Sequence, residues 1–134
     1  MRYLLDTHII LWALMNRPEL SEKARSIIGG TENTLYYSTV SVWEIAIKHS
    51  LHPKKIPCSG AELLRYCDES VMFNLSVQNH HILSLEHLHG GNDNPPHKDP
   101  FDRLLLAQAM AEGLTFLTHD KILAYYSSVP VELV

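Results

Sequence analysis

Apolar residues in this chain fall into short blocks that alternate between strand-like runs and helical spacing. Residues 2–6 carry Tyr3-Leu4-Leu5 and stop at Asp6, which predicts a short buried strand. Residues 8–15 place Ile9, Leu11, Trp12 and Met15 at helical spacing, with Thr7 as the cap and Arg17-Pro18 as the stop. A second helix restarts after Glu19, with Ser21 as N-cap, and ends at Gly29-Gly30. The aromatic and β-branched run 35–40 predicts a second strand. Ser41 followed by Glu44 reads as a capping box opening the helix 45–48.

The pattern continues in the same alternation. A loop at 52–57 leads to a helix over 62–67, then a strand over 71–75, and a helix capped by Ser76 through Ile82, Leu83 and Leu85. Residues 87–97 hold Gly90-Gly91, Asn92, Asn94 and Pro95-Pro96, and form the clear loop. A helix over 101–112 stops at Gly113, a strand occupies 114–118, a short helix 120–126, and an edge strand 129–134. No repeat, linker or low-complexity segment interrupts this order. Strands alternating with amphipathic helices predict a parallel sheet with helices on both faces. A chain of 134 residues makes this one domain, 1–134.

Composition narrows the function. A hydrophobic fraction of 46% and a charged fraction of 19% are those of an ordinary globular domain. No apolar run approaches the ~20 residues of a membrane span, and Asp6 comes too early for a signal-peptide core, so the cytoplasm is the expected compartment. Cys58 and Cys67 form no CxxC pair and are expected reduced and structural. The net charge of −4 argues against a high-affinity nucleic-acid binding module and leaves a metal-dependent enzyme open.

The chemistry gathers at the predicted strand ends. Asp6 follows the first strand and Glu44 lies in the first turn after the second. Asp99 and Asp102 flank Pro100 where the loop becomes a helix, and Asp120 follows the strand 114–118. In a parallel sheet such positions share the carboxyl edge. Each acid alone has a bland reading: Asp6, Asp99, Asp102 or Asp120 as a helix cap, Glu44 as part of the box or of an i,i+4 pair with Lys48. Together they form a like-charge cluster, which a protein keeps mainly to hold a hard cation, magnesium first and manganese next.

Four segments carry a family resemblance. Leu4-Leu5-Asp6-Thr7-His8, Ser41-Val42-Trp43-Glu44-Ile45-Ala46-Ile47-Lys48, Asp99-Pro100-Phe101-Asp102-Arg103 with Leu106-Ala107-Gln108-Ala109, and Leu117-Thr118-His119-Asp120 resemble the signature segments of PIN-domain ribonucleases, closest to VapC-type toxins. The resemblance implies a three-layer α/β/α fold with a central, mainly parallel sheet and a Mg2+- or Mn2+-dependent endoribonuclease acting on RNA. It implies Asp6, Glu44, Asp102 and Asp120 as catalytic acids and metal ligands, Asp99 as a supporting or alternative ligand, and Thr118 as a residue that orients a carboxylate or water. It further implies a homodimer silenced by a small protein antitoxin.

Other residues weigh less. Nine histidines, with His80-His81, His87, His89 and His97 close together, lack the spacing of a zinc site. His97 and His119 flank the acids. Lys98, Arg103, Lys121 and Lys48 offer either local charge for RNA or ordinary surface pairs. Trp12, Met15 and Trp43 belong to the core or, where exposed, to a dimer or antitoxin surface. A haloacid-dehalogenase-type phosphatase needs a second Asp two residues after the first, and Asp6-Thr7-His8 lacks it. A catalytically idle RNA-binding or regulatory module is the rival from another class.

Overall fold

The computed structural model describes residues 1–91 and 99–134. Among these residues, strands β1 (Arg2–Leu5), β2 (Thr34–Ser38), β3 (Phe73–Leu75), β4 (Thr115–Thr118) and β5 (Val131–Leu133) build one sheet. Its order is β3-β2-β1-β4-β5, and every neighbouring pair is parallel. Parallel neighbours require crossovers, and helices supply them. Helices α1 (Thr7–Leu14) and α2 (Glu22–Gly29) join β1 to β2, and α3 (Thr39–Leu51) and α4 (Gly60–Glu69) join β2 to β3. Helices α5 (Asn79–Ser84) and α6 (Pro100–Glu112) lie between β3 and β4, and a 3-10 turn, Lys121–Tyr125, precedes β5.

Side-chain alternation along β1 splits the interior into two layers. Tyr3 and Leu5 join Ile9, Ile10, Leu63 and Cys67 on one face, while Leu4 joins Leu105, Leu106 and Phe116 on the other. The sheet is therefore covered on both sides, the three-layer α/β/α arrangement expected from the pattern. Cys58 and Cys67 are both free and buried.

The strand order places a crevice. From β1 the chain winds outward through β2 and β3, then returns to β4 on the other flank of β1. The carboxyl ends of β1 and β4 thus border a topological switch point, where open parallel sheets bind ligands. Leu5 pairs with Leu117, and the Asp6 amide still donates to the Leu117 carbonyl at 2.9 Å. The ladder's regularity extends one residue into the crevice.

Several expected boundaries move. The second strand ends at Ser38, not at residue 40, because the Ser38 hydroxyl accepts the Val40 amide at 2.9 Å and caps α3. Ser41 consequently lies inside the helix and forms no capping box with Glu44. A capping box does form at Ser59 and Glu62, opening α4 (both bonds 3.1 Å). Thr7 is the first residue of α1 rather than its cap; Asp6 holds the cap position but makes no capping bond with its side chain. Strand β3 is shorter than 71–75, and α5 starts at Asn79 with Gln78, not Ser76, at its cap. Gly113 ends α6 in the left-handed region, φ 66°.

Candidate active site

A cleft of about 370 Å³ opens at the β1–β4 crevice, lined by Asp6, His8, Trp12, Asp102, His119 and Asp120. Asp6 directly follows β1, Asp120 lies two residues past the end of β4, and Asp102 sits in the first turn of α6. Helix α6 begins there because Asp99 caps it: its Oδ1 accepts the Phe101 and Asp102 amides at 2.8 and 3.1 Å, and Pro100 takes the first helical position. Capping engages Asp99 and leaves Asp102 as the one of the pair that lines the cleft.

One hydroxyl organises the crevice. Thr118 donates from Oγ1 to Asp6 Oδ2 at 2.6 Å and accepts the Asp120 amide at 3.0 Å. Asp120 Oδ1 accepts the Ile122 amide at 3.0 Å, starting the 3-10 turn. The other oxygen of Asp6, Oδ1, is buried and accepts no hydrogen bond from any described residue. A buried carboxylate oxygen left in that condition costs free energy that a ligand could recover.

Glu44 is 2% exposed and is held from two sides. Thr7 Oγ1 donates to Glu44 Oε1 at 2.8 Å and accepts from Ser41 Oγ at 2.8 Å, while Oε2 pairs with Lys48 one turn on. The expected i,i+4 pair is present, and Thr7 and Ser41, which sequence pattern marked only as caps, act as its struts. Burial alone would lower the Lys48 ammonium, but Glu44, Asp99 and Asp102 together hold it above its ordinary value.

The electrostatics are those of crowded acids. Burial, then Asp6, Asp99 and Glu44, push Asp102 up to about 8, with Lys48 opposing. Burial also raises Asp6, against the Thr118 hydroxyl and His8, and Glu44 adds to the rise. These four acids therefore feel one another, and Asp120 lines the same cleft. The donor set is all oxygen, includes a buried carboxylate atom with no partner among the described residues, and fits a hard divalent cation.

The expected cations are placed differently. Arg103 approaches the Tyr126 phenol and does not line the cleft. Lys98 and His97 lie outside the described residues. His119 does line the cleft, its Nδ1–H donating to the Val134 backbone oxygen at 2.7 Å. His8 and Trp12 line it too. Sequence reasoning passed over their role, although both sit within one or two turns of Asp6 on α1.

A second grouping of ligand-type side chains joins α5 to α6: His80, His81 and Glu112 hold atoms within 4.8 Å of one another. Both histidines meet Glu112 Oε2 through Nε2, at 3.1 and 3.3 Å. His81 Nδ1 accepts the Gln78 amide at 2.9 Å and faces Gln108 Nε2 at 3.4 Å. Its ring proton therefore sits on Nε2 and points at Glu112, so that nitrogen has no lone pair for a metal. The cluster ties two helices together.

The chain matches the PIN-domain family over residues 3–128. No curated protein matches it. Among solved structures it is similar to VapBC2 from Rickettsia felis bound to a promoter DNA fragment, at 18% identity and TM-score 0.72, covering 98% of each chain. It is similar to VapBC-1 from nontypeable Haemophilus influenzae, at 15% identity and TM-score 0.65, covering 99% of this chain and 98% of that one. VapBC-5 from Mycobacterium tuberculosis, of a toxin–antitoxin family, gives 16% identity and TM-score 0.64 over 99% and 98%. With this fold, these acids at the switch point and that match across most of its length, the chain belongs to the PIN-domain family.

Proposed function

We propose that this protein is a metal-dependent endoribonuclease, the VapC-type toxin of a toxin–antitoxin pair. The observation that carries the reading is Asp6: a buried carboxylate at the switch point, with Oδ1 unpartnered among the described residues, facing an Asp102 pushed up to about 8. Asp6, Glu44, Asp102 and Asp120 would hold Mg2+ or Mn2+, with Asp99 supporting Asp102 through the helix start. Bound there, the ion supplies Lewis-acid activation of water and neutralises charge at the phosphodiester.

The chain's own residues do the positioning. Thr118 fixes Asp6 and the Asp120 backbone with one hydroxyl, and Thr7 fixes Glu44. Lys48 neutralises part of the acid charge from behind Glu44. Similarity to VapBC structures supports a protein antitoxin; a homodimer and action in the cytoplasm belong to the same reading. Among the described residues no helix is long and apolar enough to cross a membrane.

An RNA cleavage assay with Mn2+, with and without EDTA, decides against the idle binding module. Cleavage abolished by EDTA and by Asp102→Asn is the expected result. A folded protein that cleaves equally well in EDTA sinks the metal, and one that never cleaves sinks the nuclease.

A further inference from the structure

The acid cleft does not end at the acids. His8 and Trp12 line it too, and also line a second cleft of about 340 Å³ together with Met15, Arg17, Lys54 and Lys55. Trp12 is packed on one side against the core layer containing Ile9 and Leu63 and keeps a partly open surface between the two clefts. His8 lies tilted beside it at 6.0 Å, and His119 meets it edge-on at 5.3 Å, so the indole is held at a defined pitch.

The cations at the far end are equally well placed. Lys54 and Lys55 are exposed and form no ion pair with any described residue, whereas Arg17 is paired with Glu19. Their loop is closed by the Lys55 and Ile56 amides donating to the His52 carbonyl, at 3.0 and 3.1 Å, and by His49 Nδ1 against the Ile56 carbonyl. Two ammonium groups with no ion pair among the described residues, on a braced turn, an aromatic surface between, and acids at the other end suit a chain of phosphates and unpaired bases.

We propose that the groove from the acids over Trp12 to Lys54 and Lys55 is a single-stranded RNA path, with Trp12 stacking a base and both lysines contacting phosphates. The proposal rests on the nuclease reading and supplies the local positive charge that a protein of net charge −4 needs. It places base contact in the same cleft as the acids, so Trp12 helps choose which phosphodiester is cut.

Steady-state cleavage of a short single-stranded RNA tests it. Lys54→Ser/Lys55→Ser should raise KM about tenfold with kcat nearly unchanged, and should flatten the log KM against log salt slope by about 1.4. Trp12→Leu should raise KM about tenfold, and Trp12→Phe should restore most of the loss. Trp43→Phe leaves Trp12 as the sole indole, and its fluorescence should be quenched by the same RNA in EDTA, with the quenching weakened when Lys54→Ser/Lys55→Ser is added, an arm that needs no turnover. Absence of cleavage by the parent protein overturns the nuclease reading, while quenching that depends on Lys54 and Lys55 still supports the path. Unchanged KM and salt slope in the lysine variant overturn the path, as does quenching by polyglutamate but not by RNA, which assigns the groove to a protein partner.

Discussion

Two clusters of ionisable side chains sit on this fold and are built on opposite terms. At the α5–α6 junction, His80, His81 and Glu112 satisfy one another, and Gln78 and Gln108 satisfy the remaining nitrogen of His81. At the β1–β4 crevice, acids face acids, and one Asp6 oxygen has no donor among the described residues. By inventory of residue types the first looks more like a metal centre. By proton accounting the second does. A site for a ligand is recognised by what the protein leaves unfinished, and a brace by what it completes.

The largest expected effect separates the two. Asp6→Asn or Asp102→Asn should lower RNA cleavage more than about a hundredfold while keeping a cooperative melt, because each removes a ligand charge outright. His81→Leu should do the reverse. It strands the Gln78 amide and costs about 1–3 kcal/mol of stability by denaturant melt, with cleavage per folded molecule unchanged. Added zinc, which the acid cleft can also take, should shift the Tm of the parent and of His81→Leu equally. A Tm rise with zinc, lost in His81→Leu, would show the brace to be a metal site.

Thr118→Val comes next. It removes the hydroxyl that orients Asp6 but no ligand, so titration calorimetry should show Mn2+ binding weakened about tenfold. The smallest effect is on pH, and its sign differs between the clusters. The folded chain holds the Asp102 proton up to about pH 8, far above an unfolded aspartate. The metal-free fold is therefore favoured below the ordinary carboxylate range and loses that stability as pH rises toward 8. Asp102→Asn should remove the slope and raise Tm at pH 8 by about 3–6 °C. Glu112 is held below its ordinary value, first by His80, so its contribution is present above that value and fades as pH falls. Thermal melts from about pH 3 to about pH 9 without divalent ions check both directions.

The sequence showed the edge of this site more clearly than its supports. Strand ends at Leu5 and Thr118, the Asp99 cap before Pro100, and the Gly113 stop follow from local patterning, and with them the parallel sheet and the gathering of acids. The start of α3 did not follow. Thr39 and Val40 have strand-like side chains, but Val40 is buried in the layer with Leu105 and Phe116, and Ser38 caps the helix before them. The Thr7–Ser41–Glu44 chain and the His–Glu brace join residues more than thirty positions apart, which no local period reveals. The same distance hides the neighbourhood of Trp12 and Lys54.

Gly113 also makes a ruler of the segment between Asp102 and Asp120. Helix α6 runs out from the cleft, a single left-handed residue turns the chain, and Leu114 bonds back to Ala109 at 2.8 Å before β4 returns. A residue inserted in β4 would slip its register by one and exchange the faces of Phe116 and Leu117. Thr118 would turn away from Asp6 with them. The return path is thus a fixed length, and homologous chains should vary in the loops on either side of it while keeping the eighteen-position interval unchanged.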